Sequence, residues 1–285
     1  MKTVNGNFNQ IIAVLLILLS LPAYSQDCDV DEGNDEKSSR FLHAFGFHEP
    51  MYFALGEGKK DGEGENLTYA QFQISFRFEI FDFYLNKRPL GSPLRGLNIS
   101  YTQRSFWDLE SRSQPFYDNS FMPAVFILWQ YLGGKNIKFF DRIDIEGGYQ
   151  HHSNGRDGKE SRFIDLLYIK PTFVWKVFKN DHIFFAPKAW VYLGKETYNK
   201  DIADYWGYVD LELTYRANFG LQLETHVIPA KNITTFHGII TYPVSKLWKP
   251  LKFYIYLDYW NGAGETILRY DLQVSGILLG IALSR

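Results

Sequence analysis

The stretch "YVDLELTYRA", Tyr208–Ala217, sets Val209, Leu211, Leu213 and Tyr215 on one side of an extended chain. Asp210, Glu212, Thr214 and Arg216 fall on the other. A period of two is the period of a β-strand, and a helix of this sequence would mix the two sets on every face. The run "RIDIEGGYQHHS", Arg142–Ser153, repeats the pattern, with Ile143, Ile145 and Tyr149 opposed to Arg142, Asp144, Glu146 and Gln150. A soluble β-sandwich also alternates, but its outward faces are polar and two sheets share its core.

Working outward, about twelve such segments appear, near 50–57, 68–82, 96–108, 121–132, 138–152, 162–178, 182–194, 205–217, 219–228, 234–243, 251–261 and 270–283. Their connectors alternate in length. "GGKN", "KND" and "ANFG" are short, whereas "DLESRSQPFYDNS", "SNGRDGKES" and "GKETYNKDIAD" are long. An even number of strands of about ten residues, joined alternately by short and long loops, predicts an all-β fold, a twelve-stranded antiparallel transmembrane β-barrel. Closure removes the unpaired edges that a dozen-stranded open sheet would expose to lipid. The alternative is a secreted soluble all-β domain.

Composition agrees with a chain that serves two solvents. Aromatic residues make up 18% of the 285, yet the mean hydropathy is −0.23. A net charge of −2 gives no reason to expect a nucleic-acid partner or an electrostatic membrane anchor. At the N-terminus, Lys2, the apolar run Ile11–Leu21 and the ending Ala23-Tyr24-Ser25 read as a signal peptide over 1–25. An acidic leader over 26–40 follows, carrying the chain's one cysteine, Cys28, and the barrel domain is placed at 41–285.

Alternation also sorts the polar residues of Gly147–Asp165, "GGYQHHSNGRDGKESRFID". His151 and Ser153 continue the apolar face of Ile143, Ile145 and Tyr149, while His152 falls with the polar set. Adjacent strand residues point to opposite faces, which disfavours a paired-histidine metal site. In the next strand Asp165 belongs to the apolar set of Phe163, Leu167, Ile169, Phe173 and Val177. An aspartate facing lipid is costly unless partnered, and a hairpin brings it beside His151. The three residues then form a Ser–His–Asp arrangement: Ser153 attacks, His151 takes its proton, and Asp165 orients the imidazole.

The residues resemble the outer-membrane phospholipase A family at several points. "HHSNGRDGKESR" resembles its H-x-S-N-G-R-x(4)-S-R block, and "YTQRSFWDLESRSQPF" its Y-T-Q-x-S-x-W region. "NKDIADYWGY", "GAGETILRYD" and "FQISFRFEIF" resemble three further segments. The resemblance implies hydrolysis of phospholipid acyl esters in the bacterial outer membrane by a calcium-bound homodimer. It makes His151 the base and Ser153 the nucleophile, and it sets Asp165 where the family usually has asparagine. Gly155 matches the position whose backbone N–H binds the oxyanion. The calcium ligands it implies are the Ser113 and Ser161 hydroxyls and the Arg156 carbonyl, one serine coming from the second subunit. Glu196 is the nearest match to a further acidic position. Gln103, on the apolar face with Leu97, Ile99, Tyr101 and Trp107, matches a dimer-interface glutamine. Two other readings are carried forward: a lipid A deacylase, whose barrels have near eight strands, and a passive porin-like barrel.

Overall fold

The computed structural model describes residues 44–60, 66–80, 96–132, 139–178 and 180–285. The signal peptide, the leader and Cys28 lie outside these residues, as does the "GGKN" connector. The strands are β1 (Phe45–Gly46), β2 (Tyr52–Lys60), β3 (Asn66–Glu79), β4 (Leu97–Asp108), β5 (Phe116–Leu132), β6 (Arg142–Ser153) and β7 (Phe163–Val177). They continue as β8 (Asp181–Lys195), β9 (Val209–Arg216), β10 (Gln222–Ile228), β11 (Thr235–Pro243), β12 (Tyr254–Ala263) and β13 (Gln273–Ala282). Every neighbouring pair from β2 to β13 is antiparallel, and β13 returns to β2 with Leu278 opposite Gly56, so β2–β13 close into a twelve-stranded barrel. The two-residue β1 pairs with the lower end of β3, below the start of β2.

The barrel is inside out relative to a soluble protein. Leu211 and Leu213 of β9 are exposed on the outer wall, with Thr214 buried between strands on the inner one. Across the lumen wall Glu212 pairs with Lys170 at 2.8 Å, and Asp210 with His226 at 2.9 Å. The inner side is thus filled by paired charges and buried Gln, Ser, Thr and Asn side chains. Lipid accepts the apolar set because the closed ladder pairs the backbone from strand to strand.

Three of the described segments fold into the lumen. At the lower end His48 stacks on Phe126 and pairs with Glu146 at 3.3 Å. At the upper end the β8–β9 and β12–β13 connectors turn inward and bury Ile202, Ile267 and Tyr270 against Ile164 and Leu166 of β7. This cap is cross-linked by Tyr270 Oη donating to Asp201 Oδ1 (2.5 Å) and the Leu268 amide donating to Asp118 Oδ2 (3.0 Å).

The structure differs from the sequence reading at three connectors. Phe116–Ser120, read as loop, belong to β5, because Asp108 N–H bonds to the Pro115 carbonyl and Trp107 Nε1 to that of Gln114, closing the turn early. The segment before β9, read as strand from 205, holds a turn of helix at Ala203–Trp206 instead, part of the cap. The lower connector at 244–253 runs for ten residues between β11 and β12, so the short–long alternation is not strict.

Candidate active site

β6 and β7 form a hairpin whose register sets His151 opposite Asp165 and Ser153 opposite Phe163. All four side chains point outward. His151 Nδ1 lies 2.8 Å from Asp165 Oδ1, and the His151 ring stacks on Phe163 at 5.9 Å. Ser153 is two residues along the same face. Immediately behind, on the lumen side, Ile164 and Leu166 are locked in the cap cluster. Asp165 is therefore held between two buried neighbours in the chain, and its outward direction cannot be exchanged without turning the core over.

His152 points the other way, into the lumen, and packs against Trp206 at 5.4 Å. The two histidines are separated by the barrel wall.

The loop after Ser153 is built on Asn154, which is 3% exposed. Its side-chain oxygen accepts from the Arg162 amide at 3.0 Å and the Arg156 amide at 3.3 Å, while its Nδ2 donates to the Glu160 carbonyl at 2.8 Å. One buried side chain thus closes the whole hairpin loop. It leaves Gly155 in the left-handed region, φ 67°, where an added Cβ would lie 2.8 Å from the Phe121 ring. Only glycine suits both the angle and the space.

The oxygens expected to hold a metal lie on two adjacent loops. Arg156 is pinned through Nη1 to Glu160 at 2.6 Å and through Nη2 to the Tyr117 carbonyl of β5, which fixes its backbone. Ser161 shares that loop, its amide closing a 3-10 turn on the Gly158 carbonyl at 3.2 Å. Ser113 sits exposed on the β4–β5 turn, whose shape is set by Asp108 accepting from the Glu110 and Ser111 amides. Carbonyl and hydroxyl oxygens with open solvent around them suit a hard divalent cation that keeps several waters. The chemistry of the donor set therefore fits calcium. Glu196, in the connector after β8, accepts from the Thr197 amide at 2.6 Å.

Gln103 faces outward on β4, and within one chain it is not alone. Tyr101 Oη donates to its Oε1 at 2.9 Å, and its Nε2 donates to Ser105 Oγ at 3.1 Å. Both ends of its amide are thus engaged on its own strand. What the register adds is position. Gln103 pairs with Phe121, Phe121 with Ser153, and Ser153 with Phe163, so one row across four strands joins them.

Comparison with known proteins places the chain in a family. The family described as phospholipase A1 matches residues 44–283. The chain belongs to the phospholipase A1 family. It is 29% identical to phospholipase A1 of Proteus vulgaris over 231 residues, 78% of this chain and 72% of that one. With phospholipase A1 of Salmonella typhimurium it shares 25% over 298 residues, 94% of this chain and 95% of that one. Among solved structures, the Salmonella typhi outer membrane phospholipase, a dimer with bound calcium, superposes with a TM-score of 0.68 at 21% identity, covering 86% of this chain and 97% of that one. An active-site mutant of Escherichia coli outer membrane phospholipase A gives 0.66 at 22%, covering 83% and 90%. At those identities the superpositions establish the shared barrel. For this family member the motif "NKDI" now has a structural content: Asn199 Nδ2 ties the Phe163 carbonyl at 3.0 Å and Asp201 receives Tyr270. Sequence reasoning missed Asn154. The Asn154-Gly155 dipeptide, a turn signal, was the available clue.

Proposed function

We propose that this chain is a calcium-dependent serine hydrolase of the bacterial outer membrane that cleaves acyl ester bonds of glycerophospholipids, working as a homodimer. The observation that carries the reading is the His151–Asp165 hydrogen bond on the lipid-facing wall, with Ser153 on the same face. An ionisable pair seated there has no structural need to exist. It faces the one solvent in which phospholipid acyl esters are found.

In this reading Ser153 Oγ attacks the ester carbonyl carbon and His151 Nε2 takes the hydroxyl proton. Asp165, bonded to Nδ1, holds the tautomer that leaves Nε2 able to accept and stabilises the imidazolium that forms. The Gly155 N–H is the oxyanion donor, kept in place by the left-handed turn. Collapse expels the lysophospholipid oxygen, protonated by His151, and leaves an acyl-Ser153 ester. Water, deprotonated by the same imidazole, then releases the fatty acid. Substrate binding would bring the Ser153 hydroxyl onto His151 Nε2, since catalytic hydrogen bonds commonly form only in the bound complex. Calcium held by the Arg156 carbonyl and the Ser161 and Ser113 hydroxyls, one serine from each copy, would supply positive charge beside the oxyanion. Gln103, in the same row as Ser153, sets the dimer seam next to the nucleophile, so a second copy would also wall the acyl chain.

Purified protein in detergent micelles with a defined phospholipid tests this. Fatty acid release should require calcium and be lost in Ser153→Ala. Release unaffected by a chelator removes the metal from the reading, and release unaffected by Ser153→Ala removes the mechanism. Acyl release from lipid A but not from phospholipid would make the chain a deacylase, against its twelve strands. Robust ion conductance without hydrolysis would make it a porin.

A further inference from the structure

The hydrogen bonds of the outward face do not end at His151. Asp165 Oδ1 accepts from Tyr149 Oη at 2.5 Å as well as from His151 Nδ1 at 2.8 Å. Tyr149 lies on β6 two residues before His151, opposite Leu167, and is diagonal to Asp165 across the hairpin. Its ring is 41% exposed on the outer wall. A tyrosine in that place ordinarily sends its hydroxyl toward water and head groups. Here it turns to the neighbouring strand.

The other side of the carboxylate is shaped by absence. β8 sets Gly194 opposite Asp165, and the register slips there, so that Leu166 faces Tyr192 and Leu193 is the extra residue of a bulge. A Cβ on Gly194 would lie 2.7 Å from Asp165 Oδ2. Any larger residue would push the carboxylate out of its present orientation.

We propose that Tyr149 is a positioning residue of the hydrolase, which together with the side-chain-free Gly194 holds the Asp165 carboxylate in the orientation that meets His151 Nδ1. The inference rests on the hydrolase reading above. A carboxylate facing hydrocarbon has no water to satisfy it, and a single donor leaves most of its lone pairs bare. Tyr149 supplies the second donor without removing the first. Because both donors converge on one oxygen, a carboxamide oxygen could receive them equally. That gives a physical reason why aspartate here can stand where the family usually has asparagine. The second oxygen only has to fit the gap that Gly194 leaves.

The test is a double-mutant cycle read in kcat and KM separately, with wild type and Ser153→Ala assayed alongside. Tyr149→Phe, which keeps the ring and removes one oxygen, should lower kcat about 5- to 10-fold with KM unchanged. In an Asp165→Ala background the same change should have no further effect, because the oxygen it addresses is gone. Gly194→Ala should lower kcat as well, and likewise only while Asp165 is present. A Tyr149→Phe kcat within twofold of wild type overturns the role of Tyr149, as does an equal loss in the Asp165→Ala background. Full activity of Gly194→Ala overturns the cradle. Activity surviving in Ser153→Ala overturns the hydrolase reading itself, and so is told apart from failure of the positioning role.

Discussion

The barrel builds histidine–carboxylate pairs on both of its walls, and they differ in what they leave free. Inside, His226 spends both nitrogens, Nδ1 on Asp210 at 2.9 Å and Nε2 on Glu224 at 3.0 Å. His237 gives Nε2 to Asp258, which also receives Tyr256 Oη at 2.6 Å. The two histidine side chains are 14–15% exposed. On the outer wall His151 is 34% exposed and bonds Asp165 through Nδ1, so that Nε2 takes no part in the pair. The chemistry of the partners is the same. A histidine with both nitrogens engaged, like His226, or with its ring packed between neighbours, as His237 is between His226 and Trp260, is a structural link; one on the outer wall with a carboxylate behind it is a base waiting for a proton.

The comparison can be broken from either side. The largest effect is expected outside: Ser153→Ala should reduce fatty acid release by about 10³-fold or more while leaving the folded barrel unchanged in a heat-modified gel shift. Inside, His226→Leu should remove the one ring that bonds both Asp210 and Glu224. It should cost about 3 kcal/mol in denaturant unfolding, with activity per folded molecule within twofold of wild type. If His226→Leu instead removes activity from a stable barrel, the division between the walls fails. Asp165→Ala should lower kcat about 10- to 100-fold, and Asp165→Asn distinctly less, since the shared acceptor oxygen remains.

The smallest effect concerns a lumen carboxyl that has no histidine. Glu265, in the connector after β12 and outside the spanning strands, receives only Tyr69 Oη, at 3.0 and 3.2 Å. Burial, and then the nearby Asp258 charge, push its pKa up from 4.5 to about 8. A carboxyl raised in this way binds more protons folded than unfolded between those values. Its contribution to stability is therefore present below 4.5 and lost as pH rises through about 8. Unfolding measured across that window should show stability falling with pH, and Glu265→Gln should flatten the fall. An unchanged slope would mean that Glu265 is not the group responsible.

Much of this was legible in the sequence because a strand with one face in lipid has no freedom in its pattern. Val209–Arg216 could be assigned residue by residue, and the same alternation set His151, Ser153 and Asp165 on one wall and His152 on the other. The pairing of His151 with Asp165 needed only the assumption of a hairpin. Other features were not legible for physical reasons. An outward tyrosine such as Tyr149 looks like any member of an interfacial aromatic belt until the direction of its hydroxyl is known. The cap over β7 depends on Ile267 and Tyr270, more than a hundred residues away from Ile164, and its loops have no period to read. The start of β5 was hidden because the Asp108 turn, made by side-chain bonds, resembles open loop in composition.

The most direct measurement of the central claim is covalent capture of the nucleophile. Folded protein in detergent with calcium, treated with a long-chain alkyl sulfonyl fluoride and digested, should carry one adduct, on Ser153. The adduct should vanish in His151→Ala and persist in His226→Leu. Modification at another residue, or labelling of Ser153 that is indifferent to His151, would contradict the assignment of the outward His151–Asp165 pair as the working base.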